Sequence, residues 1–298
     1  MSRLRLPLVV CACCLTWAVL GAILGLLFRH ALAGLIVGLL LGIVYVTIGI
    51  FAADKFPLDI WNARLLESMT APKLYEMLHE ICDRADVEFP SVFSSPRLEP
   101  NAFVVYRRDG GPALIINNGL TRYLDRDEVQ AVMALMIARL ATGVMPAWTI
   151  TATLAGLPLH LGLLCCRRRG WEWLGAGLLS LFAYPSAALA WLGWNSGIIT
   201  ASDYHAAHLA EQPKALETAL AKMQKRIGED LAGGGNPATA MLFAVPPIPA
   251  ASTGAPFWRQ ALTAFPYRSP DAAARIAHLQ HSPAALEHHS PSLHIGER

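Results

Sequence analysis

The chain has 298 residues, of which 54% are hydrophobic and 15% charged, with a net charge of +2 and a mean hydropathy of +0.39. So apolar a composition excludes an ordinary soluble domain and points to several membrane spans. No basic run is interleaved with aromatics, which sets nucleic acid aside as a partner.

Residues 7–28, "PLVVCACCLTWAVLGAILGLLF", form an uncharged run of 22 residues. At 1.5 Å per residue a helix of that length reaches about 33 Å, enough to cross the hydrocarbon core. Residues 31–53 repeat the pattern after the break Arg29-His30. Gly34, Gly38 and Gly42 recur there every four residues, which lets two helix backbones approach closely. The two runs therefore predict a transmembrane hairpin over residues 1–53. A cleaved signal peptide competes, with Arg3 and Arg5 as its basic start and Ala31-Leu32-Ala33 as its cleavage site. The second long apolar run, following at once, argues against it.

Residues 54–145 read as the first part of a mixed domain. "LDIWNARLLESM" and "APKLYEMLHEICDRADV" place apolar residues at helical spacing. "NAFVVY" and "PALIIN" are short β-branched runs around the turn "RRDGG", a hairpin signature. Then "DEVQAVMALMIARLATGVM" opens a helix, with Asp125 as its N-cap and Glu128 completing a capping box. Apolar runs 146–166 and 171–194, joined by "RRRG", predict a second membrane hairpin over 146–194. Pro158 and Pro185 lie inside it, which membrane helices tolerate better than soluble ones; a buried soluble hairpin is the alternative. Residues 195–276 form the second part of the domain: a helix pair, then a Gly/Pro/Ala-rich loop from 228 to 256. The tail, 277–298, carries His278, His281, His288, His289 and His294 without periodicity and reads as a flexible segment that binds metal loosely at most.

The six cysteines (Cys11, Cys13, Cys14, Cys82, Cys165 and Cys166) make neither a disulfide framework nor spaced zinc pairs. Arg3 and Arg5 favour an internal N-terminus, and four spans then put both soluble segments on that side too. Arg167, Arg168 and Arg169 fall in the opposite loop, against the trend.

Several stretches, in order, resemble the HtpX-type membrane zinc metallopeptidases. "PNAFVVYRRDGGPALIINNGLTRYLDRDEVQAVMA" resembles their strand hairpin and zinc-helix start. "NPATAMLFAVPP" resembles their Asn/His-Pro-Ala-Thr-Ala-His loop, and "SPDAAARIAHL" their His-Pro-Pro-x-x-x-Arg-Ile ending. The resemblance covers most of residues 7–280. It implies an α+β, mainly helical integral membrane protein with about four transmembrane helices and a zincin-like domain, in a bacterial inner membrane with the domain in the cytoplasm. It also implies a role in membrane-protein quality control.

That family needs His-Glu-x-x-His on a helix: two imidazoles four residues apart bind Zn²⁺, and the glutamate takes the proton of the metal-bound water. A glutamate from a later helix is the third ligand, with an aspartate four residues beyond. By alignment the two histidines fall at Leu135 and Arg139, the base at Met136, the third ligand at Ile199 and the aspartate at Asp203. The histidines of the two later motifs fall at Met241 and Ser269. Leu135 and Ile199 have no lone pair, Met136 cannot act as a base, and a guanidinium repels a dication. The expectation is therefore a pseudopeptidase that has lost the family zinc, with no catalytic residues and no cofactor. For Arg139 two readings stand open. It either pairs with Asp203, stapling two helices as zinc did, or extends to the headgroups without a partner.

By the resemblance, the strand at Asn101, Ala102, Phe103 and Val104 lines a peptide groove, which needs no metal to bind an extended segment. A scaffold or regulator of membrane-protein partners, or of an active peptidase in a hetero-oligomer, is the leading functional expectation, with membrane lipid around the spans. An enzyme with a relocated metal site at His205, His208 and Glu211 is the second. A structural subunit of a larger complex is the third.

Overall fold

The computed structural model describes residues 5–168, 170–193, 196–210, 213–229, 236–247 and 272–281. Its first two helices, α1 (Arg5–Leu27) and α2 (Ala31–Ala52), form an antiparallel hairpin turned at Arg29, whose φ is 61°. Glycines on both helices allow the approach. A β-carbon on Gly21 would lie 2.3 Å from Gly34 O, and one on Gly38 would lie 2.4 Å from Trp17 O. The outward faces, from Leu15 and Leu24 to Leu32 and Phe51, are exposed. That is the arrangement lipid requires, with small residues inside the pair and large apolar ones outside.

The second pair, α7 (Met145–Arg167) and α8 (Glu172–Gly193), packs on the first. Trp17 bridges the two, 5.4 Å from the Tyr45 ring and 5.7 Å from that of Phe182. All four helices are long and apolar enough to cross a membrane. Pro158 has no N–H, so the carbonyl of Leu154, four residues earlier, loses its helical donor. The Tyr45 hydroxyl donates to that oxygen from α2 at 2.5 Å. Exposed Trp171 and Trp173 at the start of α8 suit the headgroup level.

The remaining elements build one α+β body between and beside the hairpins. A short α3 (Phe56–Ile60) is followed by a left-handed Asn62 and a two-residue strand, β1 (Arg64–Leu65). The helix expected over "LDIWNARLLESM" thus breaks after Ile60, because the chain turns to add an edge strand. Helix α4 (Pro72–Ala85) forms as its spacing predicts and buries Leu78, Ile81 and Cys82. Burial pushes the Cys82 thiol up to about 11, with Asp83 adding to it, so no thiolate nucleophile is present there at neutral pH.

Strands β2 (Ser91–Ser95), β3 (Ala102–Arg107) and β4 (Gly111–Asn117) complete a sheet of order β1-β2-β4-β3. The β3–β4 hairpin forms as expected, while β2 pairs parallel to β4. β3 is therefore an edge. After α5 (Asn118–Tyr123) comes α6 (Arg126–Ala141), which begins with the expected capping box. Asp125 accepts from Glu128 N at 3.0 Å and its own N–H donates to the Glu128 carboxylate at 3.1 Å. α6 is buried from Val132 through Leu140 and packs against β3, α4, α9 (Ser196–Leu209) and α10 (Pro213–Glu229). Lys222 of α10 reaches Glu128 at 2.6 Å.

Two readings of the C-terminal third change. The stretch expected as a loop is, over residues 236–245, a buried 3₁₀ turn (Pro237–Leu242) and an extended segment fitted against α7 and β3. Asn236 donates to Gly156 O of α7 at 2.6 Å. The expected flexible tail is helical at its start, since α11 (Ala272–His281) packs on α9 and α10 and buries Leu279. His288, His289 and His294 lie outside the described residues.

Candidate functional site

The site lies where α6, α9, the β3 edge and the segment 241–245 meet. Leu135 and Met136 are fully buried on α6, Arg139 is 1% exposed one turn on, and Ile199 is buried on α9, which packs along α6. The four aligned positions thus sit in the interior, on two helices in contact. None of the four side chains is a zinc donor, so zinc does not fit the residues present. Met241 is likewise buried; Ser269 lies outside the described residues.

Arg139 does not pair with Asp203, nor does it extend to the headgroups. Its Nη1 donates to the main-chain carbonyl of Phe243 at 2.5 Å. Asp203, also buried, is held instead by Arg275 of α11, whose Nε and Nη2 reach the two carboxylate oxygens at 2.8 and 2.5 Å. The forked guanidinium matches the carboxylate geometry and satisfies both charges where water is excluded. The expected Arg139–Asp203 staple of α6 to α9 is therefore not formed; Asp203 ties α9 to α11 instead. Arg275 spends its remaining Nη1 on Ala244 O at 2.5 Å.

The expected peptide edge is closed. Asn101, Ala102, Phe103 and Val104 are at most 1% exposed. Phe243 pairs antiparallel with Phe103, and Ala244 N–H donates to Ala102 O at 2.8 Å. The Asn101 side chain donates to Val245 O at 2.7 Å and accepts from Val245 N at 3.3 Å. Phe243 fills an aromatic slot, 4.4 Å from the Phe103 ring and 4.8 Å from that of Trp61. Further along the edge, Tyr106 N–H donates to Thr149 Oγ1 of α7.

The alternative metal position is only partly present. His205 is half-buried and His208 exposed on α9, and Glu211 lies outside the described residues. Burial, with the neighbouring His208, holds the His205 pKa below its usual value. Among the described residues no three His, Cys, Asp or Glu side chains gather to hold a metal.

Two participants escaped sequence reasoning: Arg275 and the segment 243–245. Arg275 stands in the aligned ending "SPDAAARIAHL", so a signal existed; its partner, 72 residues away, did not announce itself.

The chain is 31% identical over 209 residues to a protein named Protease HtpX homolog from Thermococcus sibiricus, covering 66% of this chain and 72% of that one. It is 30% identical over 241 residues to the protein of the same name from Pyrococcus furiosus, covering 73% and 83%. With that from Acaryochloris marina it shares 29% over 250 residues, covering 78% and 85%. No family model and no solved structure matches.

Proposed function

The chain belongs to the HtpX family of membrane peptidase homologues, and we propose that it is a member without the family's chemistry: a pseudopeptidase that serves as a scaffold or regulator of membrane-protein partners. The observation that carries this is the identity and burial of four side chains. By the alignment that the family resemblance implies, Leu135, Met136, Arg139 and Ile199 fall where a zinc peptidase needs two histidines, a glutamate base and a third ligand, and all four are buried. Three lost ligands and a lost base leave no route to a metal-bound hydroxide.

What remains is architecture. A helix pair that once met around an ion meets instead through apolar packing and an arginine that binds a main-chain carbonyl. Filling such a site stabilises the domain while removing catalysis, and the lipid-facing hairpins stay available for partners in the membrane. An active peptidase of the same fold, or the clients of one, is the partner class we assign. The inner membrane of a bacterium, with the domain in the cytoplasm, is the location the reading carries.

The test is hydrolysis by the full chain in detergent. An unfolded casein substrate with added Zn²⁺ is expected to show no cleavage that a chelator abolishes. Cleavage lost on chelation and regained with zinc would overturn the reading. Co-purification separates regulator from structural subunit: a regulator exchanges with added unlabelled partner, whereas a subunit remains at fixed stoichiometry.

A further inference from the structure

The segment 243–245 is bonded as a bound peptide would be. Phe243 O accepts from Arg139, Ala244 N–H donates to Ala102 O, and Ala244 O accepts from Arg275. Val245 N–H and C=O both bond Asn101. Five consecutive main-chain polar groups thus have named partners, and four of the five bonds come from side chains on three other elements or loops. A loop that merely crossed the surface would leave these groups to water. Side-chain recognition accompanies the backbone ladder, since the Phe243 ring enters the slot made by Trp61 and Phe103. Extended backbone on an exposed sheet edge, with a pocket for an alternate side chain, is how edge strands take peptide ligands.

We propose that Phe243–Val245 is a tethered peptide ligand of this chain's own groove, which it seals against peptides of partners, with Arg139 holding the carbonyl that faces the lost metal position. The proposal rests on the pseudopeptidase reading for the role of Arg139, and it names the ligand class of the groove: an extended apolar segment with an aromatic residue, a small residue and a β-branched residue in sequence. The strap competes with any such segment intramolecularly. The apparent Kd of an added peptide is the intrinsic value divided by the fraction of open groove, so a strap closed about 99% of the time weakens binding about 100-fold.

The experiment uses the full chain in detergent and the fluorescent peptide Met-Leu-Phe-Ala-Val, with a scrambled control, read by anisotropy. The variant Phe243→Ala/Ala244→Pro empties the aromatic slot and removes the Ala244 N–H. It is expected to bind the peptide at least about 10-fold more tightly than the unaltered chain, because its groove is open more of the time. The scrambled peptide is expected to bind neither. Equal binding to both chains, or a folded variant that binds neither peptide, would overturn the proposal. Should that variant not fold, Phe243→Leu keeps the slot filled but loses ring contact, and a smaller gain in the same direction is required. Zinc content, measured on the same preparation, reports on the pseudopeptidase reading alone. Zinc bound with the groove sealed would sink that reading and spare the strap; no zinc with an open groove would do the reverse.

Discussion

Asp203→Ala is expected to destabilise the chain by about 3–5 kcal/mol, because it strands the Arg275 guanidinium in the interior. Both side chains of the pair are 3% exposed, so solvent does little to screen the loss. A thermal shift in detergent should fall by about 10 °C, taking about 2–4 °C per kcal/mol for a domain of this size. Arg275→Ala should cost a similar amount from the other side, adding the loss of the donor to Ala244 O. The double variant Asp203→Leu/Arg275→Met discriminates the mechanism. Apolar replacement of a buried ion pair is frequently close to neutral, so most of the loss should return. A double variant as unstable as the sum of the singles would mean that the pair does not act as a unit.

Arg139→Ala is the second large effect. Arg139 heads the fully buried side chains by volume among the described residues, and its removal leaves a void in the interior and takes away the donor to Phe243 O. A lost large side chain and an unsatisfied buried acceptor together cost about 3 kcal/mol or more. Arg139→Met, which refills most of the space but donates nothing, should recover the packing share and still lose about 1–3 kcal/mol for the stranded carbonyl. Denaturant unfolding of the three chains checks the order. An arginine reaching only to headgroups would give changes within about 0.5 kcal/mol, and that outcome would contradict the buried contact.

The parts of this fold governed by local rules were legible in the residues. The capping box at Asp125 and Glu128 follows from two side chains and their own backbone, and the apolar runs follow from length alone. The β3–β4 hairpin follows from β-branched runs around a glycine turn. What was not legible depends on distant partners. "LDIWNARLLESM" has helical spacing, yet Asn62 turns left-handed and Leu65 joins β2, because the sheet offers a free edge there. "NPATAMLFAV" has the composition of a loop, yet its polar groups find Gly156, Ala102, Asn101 and Arg275, so it is buried without cost to its backbone. Asp203 stood between two arginines, one inferred from the aligned zinc site and one 72 residues on. The family resemblance implied that the helices carrying Arg139 and Asp203 meet, but it said nothing of α11, whose Arg275 arrives from the far end of the chain. What the structure adds for Leu135, Met136, Arg139 and Ile199 is their burial on two packed helices, which spacing alone did not give.

The most direct measurement is the zinc content of the full chain purified in detergent, by elemental mass spectrometry, beside the reconstructed variant Leu135→His/Met136→Glu/Arg139→His/Ile199→Glu. The account predicts zinc far below one atom per chain as the sequence stands, and a rise towards one atom in any folded fraction of the variant. Stoichiometric zinc in the unaltered chain would contradict it, and would send the search to His205 and His208.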